Sequence, residues 1–143
     1  MPAVFCNEGI AAMNQWMLGD PVTLEVIVLR LFTDTNPLDA TDTTTTHTEC
    51  ALAGYVEIVL DPTLWTRTPF TGYMENAYPP ATFLFDPYAG GTTIYGWQVV
   101  ITVDGVDYLW FEDFLLTEYE VPSIGGALVC NLTYIYGGCD QTP

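Results

Sequence analysis

From Tyr95 to Val103 every second residue is large and apolar. Tyr95, Trp97, Val99, Ile101 and Val103 alternate with Gly96, Gln98, Val100, Thr102 and Asp104. A period of two places successive side chains on opposite faces, so this run is predicted to be a β-strand with one strongly apolar face. Asp104-Gly105 follows at once. That dipeptide is a tight hairpin signal, and residues 106–116 are predicted to return beside the first strand. A chain with such a hairpin at its centre must cover the apolar face, and the other segments supply the cover.

Residues 22–33 are aliphatic and β-branched and read as a strand buried on both faces. Arg30 inside it needs a carboxylate partner or an exit to water, and Glu112, in the aromatic run 108–114, is the predicted partner in a buried ion pair. Residues 51–60 (ALAGYVEIVL), 81–86 and 127–136 are further predicted strands, with Gly54 marking a bulge or close approach. The Thr-rich stretch 34–49 reads as a long loop or an extended β-edge. Residues 61–80 hold Pro62, Pro69, Pro79 and Pro80 without a clear period and read as an irregular excursion.

Near the start, Asn7-Glu8-Gly9 opens a short helix over 7–18. Asn7 is placed to cap it and Glu8 suits its positive end. Ile10, Met13, Met17 and Leu18 recur at helical spacing beside Trp16, and Gly19-Asp20-Pro21 ends the pattern. This stripe is a packing or docking element. The sum is an all-β fold, a β-sandwich or partly open barrel of about six to eight strands with a short N-terminal helix. The expected layout is a single domain over 1–143: helix 7–18, β-domain 22–136 and tail 137–143.

Charge narrows the function. The chain has no lysine, two arginines (Arg30 and Arg67) and eighteen Asp or Glu, for a formal charge of -16. Such a surface does not neutralise phosphates, so neither nucleic acid nor an anionic membrane is an expected partner. Without lysine there is no Schiff base and no P-loop. Ser123, the sole serine, lies in a Pro-Ser-Ile-Gly-Gly turn rather than a nucleophile elbow. His47, the sole histidine, sits in a threonine tract and reads first as a solvated loop residue, with a ligand or a pH sensor as the alternatives.

Glu112 and Asp113 point to opposite faces of their strand, so they do not converge, although Glu57 or Glu25 from another strand could face Glu112. No catalytic residue, cofactor or metal is assigned. Asp34, Asp39 and Asp42 share one loop and Asp104 and Asp107 flank a turn, but neither set follows an EF-hand pattern, and Asp at turns is expected from backbone capping. Asn131-Leu132-Thr133 matches a glycosylation sequon inside the predicted last strand, without a secretion signal before it.

Cysteines stand at 6, 50, 130 and 139 with no CxxC pair. They are either reduced thiols or two disulfides, for which three pairings exist. If Cys6 and Cys139 were exposed, they could link neighbouring copies. Trp65, Phe70, Tyr73 and Tyr78 fall in the proline-broken excursion and read equally as a lid over the core or as interface anchors. With Ile10, Met13, Trp16 and Met17 they form the predicted interface set. Aromatic platforms of this kind also suit sugars.

Asn7-Glu8-Gly9 with Met17-Leu18-Gly19, LRLFTDTNP (29–37), GYVEIVL (54–60), ATFLF (81–85), YGWQVV (95–100), LWFEDF (109–114) and a final Gly-Gly-plus-strand element (125–136) follow one another in order. This series resembles a group of small phage proteins encoded among virion structural genes. The resemblance spans roughly residues 7 to 137 and implies a β-rich virion component with no catalytic residue. It departs in the four cysteines, the absent lysine and the aromatic segment 61–80. The expected role is a non-enzymatic capsid cement or decoration protein that docks on major capsid or other virion proteins and on copies of itself. The alternatives are a tail or fibre module that binds host glycan, or a tail or connector subunit. The expected location is the virion, after synthesis in the host cytoplasm, since residues 1–4 carry no basic n-region.

Overall fold

The computed structural model describes residues 3–137. The central hairpin organises it. Strand β7 (Thr93–Val103) runs into β8 (Val106–Glu120) through a turn in which Asp104 (φ 49°) and Gly105 (φ 76°) both adopt left-handed backbone, as a two-residue hairpin of this twist requires. Strand β2 (Leu24–Phe32) pairs with the other edge of β7. Short β1 (Val4–Phe5) and β3 (Ile58–Val59) complete a five-stranded antiparallel sheet in the order β1-β8-β7-β2-β3. Two smaller antiparallel sheets accompany it. One is β10-β5-β4, with β4 at Thr66–Phe70, β5 at Tyr73–Ala77 and β10 at Thr133–Gly137; the other is β6 (Ala81–Phe85) with β9 (Gly126–Cys130). The fold is all-β with one short helix, and none of the described sheets closes into a barrel.

The main core lies on one face of the large sheet. The cross-strand row Leu29–Val99–Phe111 is fully buried and packs with Phe83, Phe85 and Leu132. The other face carries a smaller cluster of Cys6, Val28, Val100 and Leu109. Strand β7 is therefore buried on both sides, and the intervening positions Gln98 and Val100 are as inaccessible as the apolar ones. A bulge resets the alternation of β8. Val99 opposes Phe111 while Val100 opposes Leu109, which leaves Trp110 as the extra residue. Leu109 and Glu112 consequently share the second face, although they are three apart in sequence. Further along, residues 115–118 stand opposite Tyr95 alone, and Leu116 is thrown fully into solvent.

Helix α1 (Asn7–Met17) begins one residue earlier than a cap at Asn7 requires. Cys6 is its N-cap, without a side-chain cap bond. Glu8 spends its carboxylate on the sheet instead, accepting from the Leu109 N–H at 2.7 Å. The helix meets β8 through Gly9, where a Cβ would lie 2.3 Å from the Leu109 carbonyl oxygen. Gly19 (φ 81°) follows the helix end as predicted.

Three sequence expectations are corrected. Only Ile58–Val59 of the run 51–60 pairs as a strand, because Tyr55 turns inward to the core and its hydroxyl bonds the Leu31 N–H and Glu49. The excursion 61–80 is ordered: a 3-10 turn at Pro62–Leu64, capped by Asp61, leads into the β4–β5 hairpin. The last strand 127–136 is two strands in different sheets, split at Asn131-Leu132, so the sequon asparagine lies in an exposed connection rather than inside a strand. Among the described residues, no helix is long and apolar enough to cross a membrane.

Candidate functional site

Two places break the ordinary rule of apolar inside and polar outside. The first is a groove of about 650 Å³ between α1 and the β4–β5–β10 sheet. The helix packs by its small residues Gly9 and Ala12, which turns the Met/Trp stripe outward. Trp16 is 45% exposed and Met17 63% exposed, Ile10 is also exposed, and Met13 is half-buried against the core. All four line the groove.

Across from them stands Trp65, which meets Tyr78 edge-on at 5.1 Å and Tyr134 at 5.4 Å. Tyr134 in turn contacts Phe5, Trp110 and Phe111, so the floor is a continuous aromatic network. Arg67, one of the two cations in the chain, lines the rim and makes no ion pair among the described residues. Six residues of the predicted interface set are thus gathered: Ile10, Met13, Trp16, Met17 and Trp65 on the groove wall, with Tyr78 buttressing Trp65. Phe70 and Tyr73 lie elsewhere, stacked on each other at 4.9 Å beside the turn of the β4–β5 hairpin and both exposed. Trp65 is both lid and wall, since it is half-buried against the core while facing the groove.

The second place is buried. His47 is not solvated: its side chain is wholly inaccessible and stacks on Phe32 at 4.3 Å. Loop 34–49 folds back over the second face of the large sheet, tied to β2 by the Thr33–Thr48 and Leu31–Cys50 backbone bonds, and this carries the imidazole inward. His47 Nδ1 is 2.7 Å from Asp34 Oδ1, while Asp34 also accepts from the Thr48 and Asn36 N–H groups. Nε2 points the other way, 3.4 Å from Asp42 Oδ2 and 3.4 Å from Glu112 Oε2. The ligand-type atoms of Asp42, His47 and Glu112 all lie within 4.8 Å of one another, and all three residues are buried. Among the described residues, His47 Nε2 and both Glu112 oxygens have no hydrogen-bond partner of ordinary geometry. Burial first, and then the Asp42 and Asp34 carboxylates, push Glu112 up to about 9.

The predicted Arg30–Glu112 pair does not form. Arg30, Gln98 and Glu112 stand in one cross-strand row, with the Gln98 strand between the two charges, and two strand spacings separate their backbones by roughly 9–10 Å. Arg30 turns to the sheet edge, where Nε meets Glu57 at 2.7 Å and Glu49 at 3.8 Å and the guanidinium reaches Asp107 at 3.6 Å. Neither Glu57 nor Glu25 faces Glu112; Glu25 accepts from the Gly105 N–H. Asp39, Asp104 and Asp107 are turn and cap residues as expected, bonded to Thr41, Thr23 and Thr102.

Cys6, Cys50 and Cys130 are free thiols, all buried, so Cys6 does not reach a neighbouring copy. Cys139 lies outside the described residues. Burial first, and then the charges of Glu112 and Asp42, hold the Cys6 thiol well above its ordinary range.

Fold and site together define, among the described residues, an all-β protein with an N-terminal helix, an open aromatic groove and a buried histidine–carboxylate cluster. Compared with known proteins, the chain matches no family model, no curated protein and no solved structure.

Proposed function

We propose that the chain is a non-enzymatic structural subunit of a virus particle, a capsid cement or decoration protein that docks on the major capsid subunit. The observation that carries this reading is the groove. A helix that buries glycine and alanine while exposing methionine and tryptophan is built to be covered by something else. The occupant is an apolar segment of the capsid subunit, carrying a carboxylate that meets Arg67, which makes no ion pair among the described residues. The strongly acidic remainder faces solvent, which keeps the particle surface soluble and repels DNA.

Quantitative mass spectrometry of purified particles tests this. A copy number near that of the major capsid protein is expected. A ratio far below it would move the chain to the tail or a connector, and absence from particles would sink the virion reading. The stacked Phe70–Tyr73 pair favours a second reading, a host-glycan module, because exposed aromatic faces suit sugar rings. Binding on a glycan array that disappears in Tyr73→Ala would select it, and a silent array would count against it.

A further inference from the structure

We propose that Asp42, His47 and Glu112 form a resident site for one divalent transition-metal ion, with Zn²⁺ as the best chemical fit. This goes beyond the docking reading and is independent of it. The cluster is more than a gathering of acids, because the buried His47 Nε2 faces Glu112 Oε2 and neither atom has a hydrogen-bond partner of ordinary geometry among the described residues.

The tautomer decides what those groups can do. With Asp34 2.7 Å from Nδ1, the tautomer that donates there presents the Nε2 lone pair to two carboxylates. Three acceptors facing one another repel unless a proton or a cation sits between them. A proton shared by the Asp42 and Glu112 carboxyls is the occupant that the ion would displace, whereas one between Nε2 and a carboxylate oxygen would draw those two atoms to roughly 2.7–2.9 Å, the length of a charge-assisted hydrogen bond. Both separations are instead 3.4 Å. Zinc bonds of about 2.0–2.1 Å to nitrogen and oxygen in a tetrahedron place neighbouring donors about 3.3–3.4 Å apart. The two Nε2 separations match such an edge, and all three ligand atoms lie within 4.8 Å of one another.

The donor set points the same way. Calcium and magnesium prefer oxygen alone, whereas one imidazole with two carboxylates suits zinc and its neighbours in the first transition row. The carboxylate behind the histidine completes the pattern, since metal-bound imidazoles commonly donate their second N–H to such a group. Asp42 and His47 come from loop 34–49 and Glu112 from β8, so the ion would fasten the loop to the sheet. The same loop accepts the first helical N–H, Asn7 to the Ala40 carbonyl at 2.7 Å. Its fastening would steady the base of the helix.

The test uses the full chain stripped with chelator and titrated with ZnCl₂ by calorimetry and thermal unfolding, with Co²⁺ as a spectroscopic probe. One Zn²⁺ per chain, a raised Tm, slower proteolysis within 34–49 and the intense visible bands of four-coordinate Co²⁺ are expected. Glu112→Gln and Asp42→Asn should lose stoichiometric binding while their metal-free forms still fold. Asp34→Asn, which only orients the imidazole, should bind about 10–100-fold more weakly.

No heat of binding and no Tm shift would overturn the proposal. So would several weak sites that persist unchanged in Glu112→Gln, the behaviour of a merely acidic surface. Should both ligand variants fail to fold, the Co²⁺ spectrum of the wild-type chain decides alone: weak six-coordinate bands overturn the site, and strong four-coordinate bands support it.

Discussion

The groove and the cluster flank the same short stretch of β8, and they invert the usual partition in opposite directions. At the groove, tryptophan and methionine are left in water around Trp110. Two residues further along, Glu112 is taken wholly out of water beside His47 and Asp42. Scattered exposed apolar groups are ordinary in a folded protein, but a lined groove is not, and a buried unpaired carboxylate is rarer still. The groove costs little in folding because its side chains remain hydrated. The cluster is costly unless something neutralises it. On the two proposals, the groove is a surface that takes a partner and the cluster an interior site that holds an ion.

Substitutions can break this contrast, and the largest effect is expected where the two regions share support. Phe111 lies under the groove floor and next to Glu112, so Phe111→Ala should cost about 3–5 kcal/mol in urea unfolding. A loss below 1 kcal/mol would mean that the sheet does not underlie both. Gly9→Ala comes next. Its methyl would collide with the β8 backbone, and about 1–3 kcal/mol of destabilisation is expected, with the helix displaced and the tryptophan fluorescence of the groove altered.

Arg30→Met, which removes the edge pairing to Glu57, should cost only about 1 kcal/mol because the partners are substantially exposed. In the metal-free chain at neutral pH, Glu112→Gln should change stability by less than about 1 kcal/mol, since an isosteric amide replaces a carboxyl whose charge the site already disfavours. A larger loss would show that Glu112 has a strong partner in the folded protein. The smallest effect belongs to Trp16→Ala, expected within about 0.5 kcal/mol of wild type in stability. The same variant should abolish association with particles, and normal incorporation would break the docking reading.

Much of the scaffold was legible from residue order. The alternation of Tyr95 to Val103, the Asp104-Gly105 turn and the aliphatic run before Thr33 each announce a strand or hairpin through a local rule, and each is found. The helix is also found, one residue shorter than expected at its end. Less legible were segments whose conformation depends on a partner far away. Residues 51–60 look like a strand until Tyr55 turns inward to Leu31, and residues 66–77 look irregular until β10 pairs with them. Pro69 is tolerated because it stands in β4, at the edge of its sheet.

For the candidate sites, residue type singled out the apolar set on α1 and Trp65, and the structure gathers them in one groove because Gly9 and Ala12 give the helix a small contact surface. The glycine after Asn7-Glu8 was the available hint that the helix would approach a strand closely. Nothing nearby in the chain joins His47 to Glu112. A threonine-rich tract looks solvated, and the bulge at Trp110 shifts the facing of Glu112 in a way that strict alternation does not anticipate.

By itself, then, the sequence determined the short-range features: the strand period, the hairpin turn, and the helix and its stop. These depend on backbone preference and on side chains a few residues apart, so they are written where they act. Only the tertiary structure decided which face of the helix met the sheet, which acid paired with Arg30, and that Asp42, His47 and Glu112 would converge. Those outcomes depend on strand registry, one bulge and one loop folding back. Desolvation and electrostatic repulsion act through space, between groups that the order of residues leaves far apart.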